Sequence, residues 1–159
     1  MADPGAVGAR FAEGYRRLGE ELGASDWLVV DQARIDAHAA TTGDDDFLHS
    51  DPERAAREGP FGRTIAQGSL LLSILVGFVN QIAPLAEHVA YALNYGFDRL
   101  RFVRPVPEGS RVRGRMILRE IRARDDGRFV IVLDARLEVE GASEPAIVAA
   151  WLGLVAPRS

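Results

Sequence analysis

The chain has no cysteine and no lysine among its 159 residues. Without cysteine there are no disulfides, no thiol nucleophile and no thiolate metal site. Without lysine there is no Schiff-base chemistry on an amine; all 19 basic residues are arginine. Histidine is scarce too, with three copies at His38, His49 and His88, and three scattered imidazoles predict no metal centre. The longest apolar stretch, Ser69 to Val79, is too short and too polar-flanked to cross a bilayer. The opening Met1-Ala2-Asp3-Pro4-Gly5 lacks a basic start followed by an apolar run. We therefore expect no signal peptide, no membrane and a cytoplasmic location. A net charge of −4 lacks the basic excess of a dedicated nucleic-acid binder.

What is present is ordinary for a globular protein, at 47% hydrophobic and 26% charged. The length predicts one domain, residues 1–159, able to bury a core without staples. Phe11, Tyr15, Leu18 and Leu22 follow a helical stripe, predicting an N-terminal helix over about 8–22 that Gly23 stops. Trp27 to Val30 reads as a short extended segment. Asp31 is placed to cap a second helix carrying Ile35, Ala39 and His38 and ending at Thr42-Gly43. A Gly-, Pro- and Asp-rich stretch follows, with a short helical piece after Pro52. From about 68 to 83 the chain is apolar almost all round, the pattern of a buried helix. Beyond Val89 the period becomes two, most clearly in Phe129, Ile131, Leu133, Ala135, Leu137 and Val139, with Asp125-Asp126-Gly127 as the hairpin turn before them. A β-meander over about 89–156 and one buried helix predict an α+β fold in which a curved antiparallel sheet wraps a central helix.

The fragment Gly43-Asp44-Asp45-Asp46-Phe47-Leu48-His49 holds the chemistry. Asp44 and His49 stand five residues apart, ahead of the helix that begins at Gly68. An imidazole with a pKa near ~6.5 suits a general base for water, and a nearby carboxylate can orient that water. The N–H groups of Gly68 and Ser69, opening the buried helix, suit a developing oxyanion. The bland alternatives are a histidine bonded locally in a loop and an aspartate serving a turn. Asp45 and Asp46 either crowd Asp44, raising one carboxyl pKa, or are solvated loop acids. His38 reads as a packing residue and His88 as a loop residue. Arg99, Arg101, Arg104, Arg111, Arg113 and Arg115 read mainly as a solvated outer sheet face paired with acids, with one or two left as phosphate contacts.

Several motifs recur in a familiar order. Gly43-Asp44, Leu48-His49 and Asp51-Pro52-Glu53-Arg54-Ala55 make a hydratase motif over 43–54, followed by Pro60-Phe61-Gly62 and Ile65-Ala66-Gln67-Gly68. Asn94-Tyr95-Gly96-Phe97 and Pro105-Val106-Pro107 continue the series. Over roughly Trp27 to Arg113 the chain resembles the MaoC-like hot-dog dehydratases, in particular their nodulation-protein-N-like branch, relatives of R-specific enoyl-CoA hydratases. The resemblance implies a hot-dog fold and a lyase of fatty acid metabolism that hydrates a 2-enoyl thioester reversibly. It implies Asp44 and His49 as the catalytic residues, and Phe47, Gln67, Gly68, Ser69, Asn94 and Tyr95 as substrate-binding ones. Coenzyme A enters as part of the substrate, not as a cofactor. The implied partners are an acyl-CoA or acyl-carrier-protein thioester and a second copy of the chain, paired edge to edge.

Two departures from the family pattern stand out. Gln67-Gly68 replaces the usual His-Gly, and Asp46-Phe47 replaces Asn-Pro between the acid and the histidine. They leave open a non-catalytic acyl-thioester binding protein; a second alternative is another hot-dog enzyme, a thioesterase in which Asp44 activates water at the carbonyl.

Overall fold

The computed structural model of the chain describes residues 17–82 and 89–158. Among them the elements are β1 (Glu21–Ala24), β2 (Leu28–Val29), α1 (Gln32–Thr42), α2 (Phe47–Ser50), α3 (Pro52–Glu58), α4 (Gly68–Gly77), α5 (Val79–Ile82), β3 (Val89–Phe102), β4 (Arg111–Ala123), β5 (Phe129–Val139) and β6 (Ile147–Pro157). The strands form one antiparallel sheet in the order β1-β4-β5-β6-β3, with β2 also paired to β4. The expected alternation sets the register. Leu133 lies opposite both Leu118 and Trp151, and Leu137 opposite Gly114 and Ile147, which brings apolar side chains onto one face.

That face curves around α4. Leu70, Leu71 and Leu75 of α4 join Phe78, Ile82, Met116, Leu133, Leu137, Ile147 and Trp151 in one continuous core, each side chain contributing roughly 1.5–3 kcal/mol by leaving water. Val130, Val132, Leu152 and Leu154 make a second, smaller cluster on the opposite face. The outer face is therefore apolar at one end, where simple alternation predicted only a contrast with the inner row. Toward the other end it is charged. Glu138 there accepts from Arg113 Nε and Arg115 Nε, at 2.7 and 2.8 Å, and Arg111 Nη1 donates to Glu140 at 2.7 Å. Arg111, Arg113 and Arg115 are thus paired with acids as the sequence favoured, whereas Arg99, Arg101 and Arg104 make no ion pair among the described residues.

Helix α1 matches its expected limits because both caps are in place. The Asp31 side chain accepts from the Arg34 N–H, and Gly43 closes the helix at φ 76°, left-handed backbone that glycine adopts freely. The N-terminal helix expected over about 8–22 is corrected at its end. Glu21–Ala24 is a strand paired to β4 from Glu21↔Ile117 to Ala24↔Arg115, because ladder hydrogen bonds override a weak helical stripe. Residues 8–16 of that expectation lie outside the described residues. The central helix is shorter than the expected 68–83. Gly77, a poor helix former, ends α4, and Phe78 turns inward before the short α5; residue 83 and His88 lie outside the described residues.

Candidate active site

Three short pieces of chain meet where α4 begins. The first is the loop after α1, carrying Asp44. The second is α2, capped by Asp46, whose side chain accepts from the Leu48 N–H at 3.0 Å, and carrying Phe47 and His49. The third is the segment 64–67, which enters α4 after bridging Ile65 to Pro107. The Asp46 carboxylate is committed to capping, while Asp45 and Asp46 are both exposed, as the simpler reading of these acids held.

His49 is half-buried and its ring is held from one side. Nδ1 lies 2.7 Å from the Ile65 main-chain oxygen. A carbonyl can only accept, so Nδ1 carries the proton and Nε2 of the neutral ring keeps its lone pair. The backbone repeats the tie, with Ile65 N–H donating to Leu48 O at 2.9 Å. Gln32 Nε2 donates to His49 O at 2.7 Å, and the buried Thr64 hydroxyl donates to Gln32 Oε1. The free ring nitrogen thus belongs to an imidazole fixed at ring, main chain and neighbouring strut.

Asp44 is tied to the same strut by its main chain. Gln67 Nε2 donates to Asp44 O at 3.2 Å and to Ile35 O at 3.3 Å. The Asp44 N–H makes a long 3.4 Å bond to Thr42 Oγ1, and the side chain is exposed. Both expected catalytic residues are therefore anchored within 65–67, the three residues that lead into Gly68. Gln67 itself is 1% exposed, and its Oε1 has no hydrogen-bond partner among the described residues. Leaving a buried acceptor unmet costs roughly 1–3 kcal/mol.

Helix α4 opens uncapped. Gln67 is its N-cap yet makes no side-chain capping bond. The first helical bond runs from Leu71 N–H to Gln67 O, so the N–H groups of Gly68, Ser69 and Leu70 come before the ladder begins. The Phe102 ring lies against this start; a Cβ on Gly68 would sit 3.1 Å from it, so any larger residue requires the ring to give by a few tenths of an ångström. His38 is not the packing residue the sequence predicted. It is half-buried, and its Nε2 shares a 2.8 Å hydrogen bond with Ser69 Oγ on the first turn of α4. The helical spacing of His38 gave no signal of this, because the contact joins residues 31 positions apart. Thr64 and Gln32, which support His49, escaped sequence reasoning for the same reason.

Phe47 is half-buried, with the Arg54 guanidinium 4.2 Å above its ring. Arg54 and Arg57 both donate to Glu58 and hold its carboxyl below the usual range. Asn94 and Tyr95 are not in the hydrogen-bond web of the acid loop. Tyr95 is exposed on β3. Asn94 Oδ1 accepts from Trp151 Nε1 at 2.7 Å and lines a cavity of about 530 Å³ between the far end of α4 and the sheet. Val76, Val79, Leu93, Ile131, Leu133 and Val155 supply most of its apolar wall.

Residues 14–139 match the family described as the MaoC like domain. The chain belongs to the MaoC-like dehydratase family. Among relatives, this MaoC-like chain is 45% identical over 139 residues to nodulation protein N of Rhizobium leguminosarum bv. viciae, covering 87% of this chain and 86% of the relative. It is 41% identical over 131 residues to 3-hydroxyacyl-thioester dehydratase Z of Mycobacterium tuberculosis, covering 82% and 85% of the two chains. Of solved structures it is similar to the (R)-hydratase of A. caviae involved in PHA biosynthesis, with a TM-score of 0.69 at 26% identity, over 86% of this chain and 94% of the other. These matches carry the hot-dog fold as well as the family. No helix among the described residues of the MaoC-like chain is long and apolar enough to cross a membrane.

Proposed function

We propose that this protein hydrates a 2-enoyl thioester reversibly to a 3-hydroxyacyl thioester, with coenzyme A as carrier and the 3R product. The observation that carries the reading is the common anchorage of His49 and Asp44 to residues 65–67, which run into an uncapped helix start, with Nδ1 of His49 held by the Ile65 oxygen and Nε2 outside that bond. The names of the dehydratase and hydratase relatives support the same reaction class.

Water gives its oxygen to C3 and, in net, one hydrogen to C2. Nε2 of His49 takes a proton from the water as the C3–O bond forms. Negative charge passes to the thioester oxygen, where the N–H groups of Gly68 and Ser69 receive it. Asp44 orients the water and relays to C2 the proton that His49 took, so that both side chains end as they began. The reverse sequence is dehydration. Phe47 borders the acid loop and shapes the space over the reacting carbons. The cavity that Asn94 borders takes the acyl tail. It lies at the far end of a ten-residue helix, about 15 Å from its start, so medium chains use it more fully than short ones.

Strand β3 is at the sheet edge, with Tyr91, Leu93, Tyr95 and Phe102 each about half exposed. A long apolar edge is a template for another strand. We therefore assign it to a homodimer formed edge to edge through β3.

The test follows 2-enoyl absorbance and free thiol together, over short and medium chain lengths. Loss of absorbance without thiol release supports hydration. Thiol release from a saturated acyl-CoA makes the protein a thioesterase, and binding without either change makes it a carrier of acyl thioesters.

A further inference from the structure

Gln67 is the one buried carboxamide at the start of α4, and its geometry allows one orientation. Both partners of Nε2, the main-chain oxygens of Ile35 and Asp44, are carbonyls that can only accept. Turning the amide over would set three oxygens against one another. The NH2 must face the two carbonyls, and Oε1 is then left unmet. A methionine would fill a similar volume without the unmet Oε1, but it would take the donor away from the Ile35 and Asp44 main-chain oxygens.

Asp44 is where the clamp matters. It follows the left-handed cap Gly43 and so lies beyond the hydrogen bonds of α1. Its carboxylate has no hydrogen-bond partner among the described residues, and its N–H reaches only the 3.4 Å contact with Thr42. The position of the carboxylate therefore depends on its main chain, and the bond from Gln67 is what ties that main chain to the start of α4.

We propose that Gln67 is a positioning residue for Asp44. Its NH2 group holds the acid loop to α1 and to the oxyanion end of α4, setting where the carboxylate stands relative to the Gly68 and Ser69 N–H groups. The inference rests on the hydration reading. It also explains how this chain works with glutamine in place of histidine: an imidazole has one N–H to give in that direction, whereas the carboxamide gives two.

The test compares Gln67→Met, Gln67→His and wild type on 2-butenoyl-CoA, alone and in an Asp44→Asn background. Gln67→Met lowers kcat ten-fold or more while KM changes less than three-fold. Gln67→His, keeping one donor, recovers most of the loss. In the Asp44→Asn background the same Gln67→Met change costs less than two-fold, because there is no longer a carboxylate to position. Equal losses in both backgrounds, or unchanged kcat in Gln67→Met, overturn the proposal. Hydrogen exchange of the amides at 43–47 supplies a readout independent of turnover: at least ten-fold faster exchange in Gln67→Met supports the clamp, and unchanged exchange overturns it. A wild type that hydrates no enoyl thioester defeats the hydration reading, and the exchange result still decides whether Gln67 holds Asp44. Should Gln67→Met not fold, Gln67→Asn withdraws the same amide by one methylene and takes its place in every arm.

Discussion

The sheet-facing core and the junction around Gln67 are both sealed from solvent, and they are built on opposite terms. In the core, Met116, Leu137, Ile147, Val112 and Val155 are almost completely enclosed and apolar, and any of them needs only volume and shape. At the junction, Thr64 and Gln67 are equally enclosed but polar, every bond has a direction, and one acceptor has no partner among the described residues. The first region supplies stability. The second gives some of it up to hold His49 and Asp44 at one strut, a local cost that packing alone does not call for.

That contrast breaks if the two regions respond alike to mutation. The largest effect on stability is expected in the core: Leu137→Ala, at a fully buried site, lowers unfolding stability by about 2–5 kcal/mol. Urea unfolding measures it, and the rate per folded molecule stays near wild type. Gly68→Ala sits between the regions. Its new Cβ meets the Phe102 ring at 3.1 Å, and because that ring is half exposed it can shift, so the stability change stays within about 1.5 kcal/mol. Unlike the core variant it also lowers kcat, since the ring and the first N–H groups must shift; thermal unfolding and initial rates on the same samples separate the two effects.

The sheet edge sharpens the comparison from outside. Leu93→Glu, on an exposed edge position, is expected to shift the protein from dimer to monomer in sedimentation without changing its circular dichroism. The smallest effect lies on the charged outer face. Glu138 titrates below the ordinary carboxyl value; its burial opposes the shift, and hydrogen bonds from Arg115 and Arg113 outweigh it. Its contribution is present above the carboxylate range and is lost as pH falls through the lowered value. Glu138→Gln therefore costs about 0.2–1 kcal/mol at neutral pH, and the difference from wild type shrinks in unfolding measurements as pH falls through the lowered value.

Much of the scaffold was legible because local chemistry and tertiary structure agree. Asp31 and Gly43 bracket α1, Asp125-Asp126-Gly127 turns β4 into β5, and the odd-numbered apolar residues of β5 meet α4. The end of the expected N-terminal helix was misread because Leu18 and Leu22 keep a helical interval, while the β4 edge offers Glu21–Ala24 a ladder that no local pattern announces. At the site, motif order pointed to Asp44 and His49 as candidates, but it gave no sign of what holds them. Gln32, His38, Thr64 and Gln67 act across 17 to 32 positions of sequence, and polar residues at such distances carry no period. Asn94 and Tyr95, grouped with the site by resemblance, fall on β3, Asn94 in the cavity wall and Tyr95 on the exposed edge.

Joint action of His49 and Asp44, both anchored ahead of α4, is the proposed basis of hydration. It is tested most directly by initial rates of 2-enoyl-CoA absorbance loss for wild type, His49→Gln and Asp44→Asn, with circular dichroism confirming the fold of each. Each substitution is expected to lower kcat by about 10²–10⁴-fold. Wild-type hydration that persists at full rate in both variants would contradict the account.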